Sequence, residues 1–242
     1  MSEGLRVLVA SPLGEVVAAP LRSRFAGWTV EVATDDSEFD RRVDGRVRFD
    51  VVTADLVWNR PETEWVFDGL DAIESLRNHD RLAPVLLTAQ GHSMETDLIE
   101  EARRREEVVG VVAKSDGFAA FADAISVAAL GRRIPQTPSL NRRPSLYELF
   151  TGRRGQTAGR MAGAIAAGHV SDTATLARVA KVSPNTANKI TSHYIGPMII
   201  QRGEHDEELP MTQASVYRWC GLHARYLISW CRRNGHADVL AA

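Results

Sequence analysis

The sequence predicts a five-stranded, doubly wound parallel α/β unit followed by a smaller, mostly α-helical unit. Five short runs rich in Val and Leu punctuate the first half, with helix-length stretches between most of them. Near-continuous apolar strands separated by helices belong to parallel sheets covered on both faces. The charge then reverses along the chain: residues 1–131 hold 14 Lys and Arg against 24 Asp and Glu, while residues 132–242 hold 15 against 7. At 242 residues the chain has room for both units.

The strand runs are "LRVLVAS" (5–11), "WTVEVA" (28–33), "FDVVTAD" (49–55), "APVLLTA" (83–89) and "VVGVVAK" (108–114). Between and after them, "LDAIESLRNH" and "FAAFADAISVAAL" carry the 3/4 apolar spacing of covering helices. This α/β unit is expected over residues 1–130. The stretch 131–145, "GRRIPQTPSLNRRPS", has three prolines, four arginines and no acid, and reads as an exposed linker.

Residues 146–242 form the second unit. The Ala and Gly faces of "QTAGRMAGAIAAGH" suit a helix that lets its neighbours approach closely. In "SDTATLARVAKVSPNTANKITSHYI" (171–195), Ser171 or Asp172 caps a first short helix whose inner face is Leu176, Val179 and Ala180. Ser183 caps a second helix with Pro184 at its first position and Ala187 and Ile190 facing inwards. That is a helix-turn-helix pattern, although Lys181 stands where the turn usually has glycine. Its outward face offers Ser183, Asn185, Thr186, Asn188, Lys189, Ser192 and His193, short polar or cationic groups suited to base edges and phosphates. Residues 132–203 hold eleven basic against two acidic residues, a source of salt-dependent affinity for a polyanion. After the second helix, "PMIIQRG", "EHDEE" and "LPMT" read as a β-hairpin wing with Arg202 on a wing strand; a four-helix effector is the competing pattern. The tail places Val216, Trp219 or Cys220, Leu222 or His223, Tyr226, Leu227 and Trp230 near one helical face. That face suits core, and its aromatic content suits a dimer interface.

Composition excludes several classes. No apolar run approaches the roughly 20 residues needed to span a bilayer, and the N-terminus lacks a signal pattern, so a cytoplasmic protein without membrane contact is expected. Two cysteines, Cys220 and Cys231, are too few for a disulfide framework and lack metal-ligand spacing. No Ser-His or Cys-His pairing, metal cluster or phosphate-binding glycine loop stands out, so neither an enzyme nor a resident cofactor or metal is expected.

In a doubly wound sheet the ligand site lies outside the C-terminal ends of the strands, where Asp55, Thr88 and Lys114 stand. With "DVVTAD", "PVLLTA" and "VVGVVAK" ending in those residues, residues 5–130 resemble the receiver (flavodoxin-like) domain of response regulators. The resemblance implies a phosphoacceptor role for Asp55, with the Thr88 hydroxyl and the Lys114 ammonium holding the phosphoryl oxygens. It also implies Mg²⁺ bound by an acidic pair after the first strand, where "VLVASPLG" instead puts Ser11 and Pro12; Asp35 and Asp36 are the nearest candidate substitutes. Further departures are Val111 in place of an aromatic residue and a long loop after Asp55 with Trp58 and Trp65 as candidate pocket covers. The whole is similar to atypical orphan response regulators of actinobacteria, members of two-component systems. The expected function is therefore a transcriptional regulator that binds double-stranded DNA as a homodimer, is not driven by ordinary Mg²⁺-dependent phosphorylation, and takes its input from a histidine kinase or a small-molecule ligand. The alternative is a pseudo-receiver interaction protein whose basic half binds RNA or an acidic protein.

Overall fold

The computed structural model describes residues 4–45, 47–60, 65–135, 143–206 and 208–241. The chain divides into two compact units, Met1–Pro138 and Ser139–Ala242.

In the first unit the five apolar runs form five strands: β1 (Arg6–Ala10), β2 (Thr29–Ala33), β3 (Val51–Asp55), β4 (Val85–Ala89) and β5 (Val108–Ala113). They build one sheet in the order β2-β1-β3-β4-β5. Every pairing is parallel. β3 and β4 are buried along their whole length, as strands covered on both faces must be. Five helices connect and cover them: α1 (Gly14–Arg24), α2 (Asp36–Asp44), α3 (Gly69–Asn78), α4 (Thr96–Ala102) and α5 (Gly117–Ala129). The register sets Asp55 beside Thr88 across β3 and β4. Helix α3 starts where it does because Asp68 caps it in a reciprocal capping box with Asp71.

The expected linker falls partly outside the described residues, at 136–142. Ahead of that gap, Ile134 donates its N–H to the Val109 carbonyl and lies over Gly110, so the start of the stretch packs on β5.

The second unit has helices and no strand among its described residues: α6 (Leu146–Leu149), α7 (Gly152–Ala166), α8 (Thr173–Val179), α9 (Pro184–Ile190), α10 (Gly196–Gln201), α11 (Gln213–Leu222) and α12 (Ala224–Arg233). Helix α7 is its axis. A methyl group on Gly159 would come within 2.6 Å of the Trp230 ring, and one on Gly163 within 2.2 Å of the Cys231 sulfur. These glycines, one turn apart, let α12 close onto α7 with Phe150 and Trp230 meeting edge to face.

Two expectations are corrected here. The wing is not a hairpin, because α9 runs through a π-helical turn, Thr191–Ile195, directly into α10. Its apolar Met198 and Ile199 are buried in the helical core. Pro197 lacks the N–H that would continue an α-helical ladder, and the wider turn before it accommodates that loss. The tail is two helices, α11 and α12, separated at His223, and Leu222 is 74% exposed, outside the core that holds Val216, Trp219, Cys220, Tyr226, Leu227 and Trp230. No helix of the described residues is long and apolar enough to cross a membrane.

Candidate functional site

At the C-terminal edge of the sheet, Asp55 receives three donors. The Thr88 hydroxyl donates to its Oδ1 at 2.6 Å. The Lys114 ammonium lies 2.8 Å from the same oxygen. The Ser11 hydroxyl donates to Oδ2 at 2.6 Å, while Ser11 Oγ also accepts the Leu13 N–H. Asp55 and Thr88 are buried, whereas the Lys114 side chain keeps 36% exposure. The structure thus brings together the three residues singled out from the sequence and adds Ser11. In the sequence Ser11 stands out only as a missing acid; its position at the end of the strand next to β3 is the signal for its role here.

The donor set does not fit Mg²⁺. A hard divalent ion wants carboxylate oxygens, and among the described residues Asp55 is the one carboxylate in this cluster, already engaged by two hydroxyls and an ammonium. Asp35 directs its side chain to the Glu38 N–H as the cap of α2, and Asp36 lies in the first turn of that helix. Among the described residues no group of three or more His, Cys, Asp or Glu is arranged to hold a metal. The tryptophans of the long loop do not cover Asp55 either. Trp58 is fully buried against Phe67, and Trp65 is 45% exposed. An indole of that size is better accommodated with the Phe39 and Phe67 rings than over a charged cluster.

In the second unit α8 and α9 form the expected pair. Asp172 caps α8 through the Thr175 N–H, and Ser183 caps α9 through the Thr186 N–H. Leu176, Ala177, Ala180 and Ala187 are buried between the helices and α7. Lys181 supplies the turn itself, in left-handed backbone with φ of 55°. Such a conformation is unfavourable for a residue with a Cβ. Its ammonium lies 2.7 Å from Asp238, an acid that Arg160 also holds at 2.7 Å. Lys181 and then Arg160 depress the Asp238 carboxyl to about 2.

On the outer side of α9 and its continuation, Asn185, Asn188, Lys189 and His193 are exposed. Three of the other predicted contacts are partly committed within the chain. The Ser183 and Thr186 hydroxyls lie 2.9 Å apart, and Ser192 donates to the Asn188 carbonyl. Arg202 is a correction. Its side chain is fully buried, donating to the Pro144 carbonyl and to both oxygens of Glu204, which also accepts the Trp219 indole N–H. A guanidinium so placed fastens the segment before α6 to the end of α10 and cannot reach a ligand outside.

The sequence reading missed two basic groups. Arg153 and Arg154, at the start of α7, are exposed and line a groove of about 700 Å³ together with Lys189, His193 and Tyr194. Their spacing from α9 in the sequence hid the cluster, though the local "GRRG" was its signal. The cysteines are inert: Cys220 and Cys231 are buried, and burial raises both thiols, that of Cys231 to about 12.

No family model matches the chain, and no curated protein matches it. Solved structures do. A structure of the two-component response regulator RcsB in complex with DNA aligns over 89% of this chain and 97% of its own at 11% identity, with a TM-score of 0.50. A LuxR-family response regulator from Aurantimonas covers 54% of this chain and 88% of its own at 24% identity, TM-score 0.42. The receiver domain of Francisella response regulator 1452 covers 53% and 98% at 19% identity, TM-score 0.42. At such identities the likeness is one of fold: a five-stranded receiver-type sheet followed by a helical domain.

Proposed function

We propose that the protein is a DNA-binding transcriptional regulator with an atypical receiver unit that ordinary Mg²⁺-dependent phosphoryl transfer does not control. The observation that carries this reading is the outer face of α9. Asn185 and Asn188 are exposed on α9 and have the chemistry to read base edges, while Lys189, His193, Arg153 and Arg154, which line one groove, would serve as phosphate contacts. Lys181 holds the turn that sets α9 against α8. Among the described residues no second carboxylate lines the cavity at Asp55, which supports the atypical assignment of the receiver unit. Domain limits follow the sequence: receiver unit to residue 130, linker to 145, DNA-binding unit beyond. A protein working on chromosomal sites belongs in the cytoplasm, and binding as a homodimer would match paired half-sites.

Fluorescence anisotropy with genomic duplex fragments at two salt concentrations tests the reading. Saturable binding that weakens steeply with salt is expected, and the joint substitution Arg153→Ala and Arg154→Ala should flatten the slope by about two counterions. Preference for RNA over duplex DNA, or a slope unmoved by the double substitution, would favour the interaction protein instead.

A further inference from the structure

Beside the Asp55 cluster lies a cleft of about 330 Å³ between α1 and α5. Its existence follows from side-chain size. The floor beneath it is Ala10, Ala54 and Ala113, whose methyl groups do not fill the space between the helices. The walls are Val17 from α1 and Phe118 and Phe121 from α5. At the rim, Leu13 and Val16 are 63% and 71% exposed. The polar side chains of the lining are Ser11, Asp55, Thr88 and Lys114, which cluster together, and Thr53, whose hydroxyl is spent on the Leu8 carbonyl. A concave, mostly apolar site with a few convergent polar groups and a volume of this order is the common form of a small-molecule site.

The polar cluster narrows the chemistry. Asp55 and Lys114 neutralise one another, so an anionic ligand group would meet the carboxylate and a cationic one the ammonium. An ammonium carries three donors, of which Asp55 takes one, and among the described residues Asp55 Oδ2 accepts one side-chain hydrogen bond, from Ser11. A neutral hydroxyl answers both, accepting from Lys114 while donating to Asp55. Two phenylalanine rings on the wall favour an aromatic body.

We propose that the cleft between α1 and α5 binds a neutral aromatic molecule bearing a phenolic hydroxyl, with its rings between Val17 and Phe118 and its hydroxyl on Lys114 and Asp55. This deepens the proposed function, because an occupant would abut the cluster that phosphoryl transfer modifies in metal-competent receivers.

The test uses the full chain and 2-naphthol, with naphthalene as the comparator lacking the hydroxyl. Titration calorimetry should show saturable one-to-one binding of 2-naphthol. Val17→Trp fills the cleft and should weaken binding at least tenfold at an unchanged melting temperature; Ala54→Leu fills it from the floor and serves if the first variant does not fold. Lys114→Met should erase the preference for 2-naphthol over naphthalene. Absence of saturable binding, or equal binding by the filled variants, overturns the proposal. Anisotropy on duplex DNA is measured on the same samples. Binding of 2-naphthol without any DNA binding would sink the regulator reading alone, and DNA binding without 2-naphthol binding would sink the cleft alone.

Discussion

Removing Asp55 in two ways separates its geometry from its charge. In Asp55→Ala the Ser11 and Thr88 hydroxyls, 2% and 9% exposed, lose the acceptor they each reach at 2.6 Å. Orphaning a buried polar group costs about 1–3 kcal/mol, and the adjoining cleft admits water, so two such groups near the lower end give about 2–4 kcal/mol. Lys114, one third exposed, rehydrates and adds at most about 1 kcal/mol. Asp55→Asn differs. Its carbonyl oxygen can still accept from Thr88 and Lys114, and its amide can donate to Ser11 Oγ, whose own proton turns to water in the adjoining cleft, so the loss is the charge enhancement of those bonds and one redirected hydroxyl, about 1 kcal/mol. The assay is urea denaturation followed by amide exchange in peptides from β3 and β4, which tracks the receiver unit by itself. The expected order is wild type, then Asn, then Ala, with the larger gap between Asn and Ala. Equal losses for Asn and Ala would refute the reasoning, as would an Ala variant within about 1 kcal/mol of wild type.

Small phosphodonors with Mg²⁺ should leave the intact mass unchanged, because among the described residues the cluster offers the ion a single carboxylate; a labile phosphoryl adduct that disappears in Asp55→Asn would show metal ligands beyond that cluster. Lys189→Ala should weaken DNA binding at all sequences and lower the salt slope by about one counterion, whereas Asn188→Ala should cost about 1–3 kcal/mol mainly at the preferred site. Gly159→Ala sets a methyl against Trp230, so melting should show a loss of about 1–3 kcal/mol despite alanine's better helix propensity, with recovery in the double variant Gly159→Ala, Trp230→Leu. Asp238 titrates at about 2 in the folded chain against 3.8 as a free side chain, so its contribution is fully present above pH 3.8 and fades as the pH falls towards 2. Acid titration of Asp238→Asn should lack that component, and an identical acid profile for variant and wild type would remove the link to Lys181.

The sheet was legible because parallel strands buried on both faces leave continuous apolar runs, and each of the five runs became a strand within two residues of its limits. Asp55, Thr88 and Lys114 could be grouped because strand ends in such a sheet converge on one edge. The helix-turn-helix pair was legible through its caps, Asp172 and Ser183. The wing failed for a physical reason. "PMIIQ" has the apolar, β-branched look of a strand, but Met198 and Ile199 fall on the buried side of a helix that had already begun at Pro184, and tertiary burial overrode local propensity. Arg202 misled because a basic residue after a recognition helix suggests phosphate, while one of its partners, Glu204, is its near neighbour in the sequence and the other, Pro144, is brought to it only by packing. The cleft left no trace in periodicity, since Ala10, Ala54 and Ala113 look like ordinary strand residues until two helices fail to meet above them.

Lys114, Lys181 and Lys189 are the only lysines in the sequence. One sits at the receiver cluster, one in the turn, and one on the outer face of α9, each in a different surrounding: paired with a buried carboxylate, paired with an exposed one, and open to solvent. Amine-directed acylation therefore works as a three-channel footprint that the abundant arginines do not crowd. Duplex DNA should mask Lys189, 2-naphthol should mask Lys114, and acid should unmask Lys181, so one mass spectrum reads each part of the protein under a different stimulus.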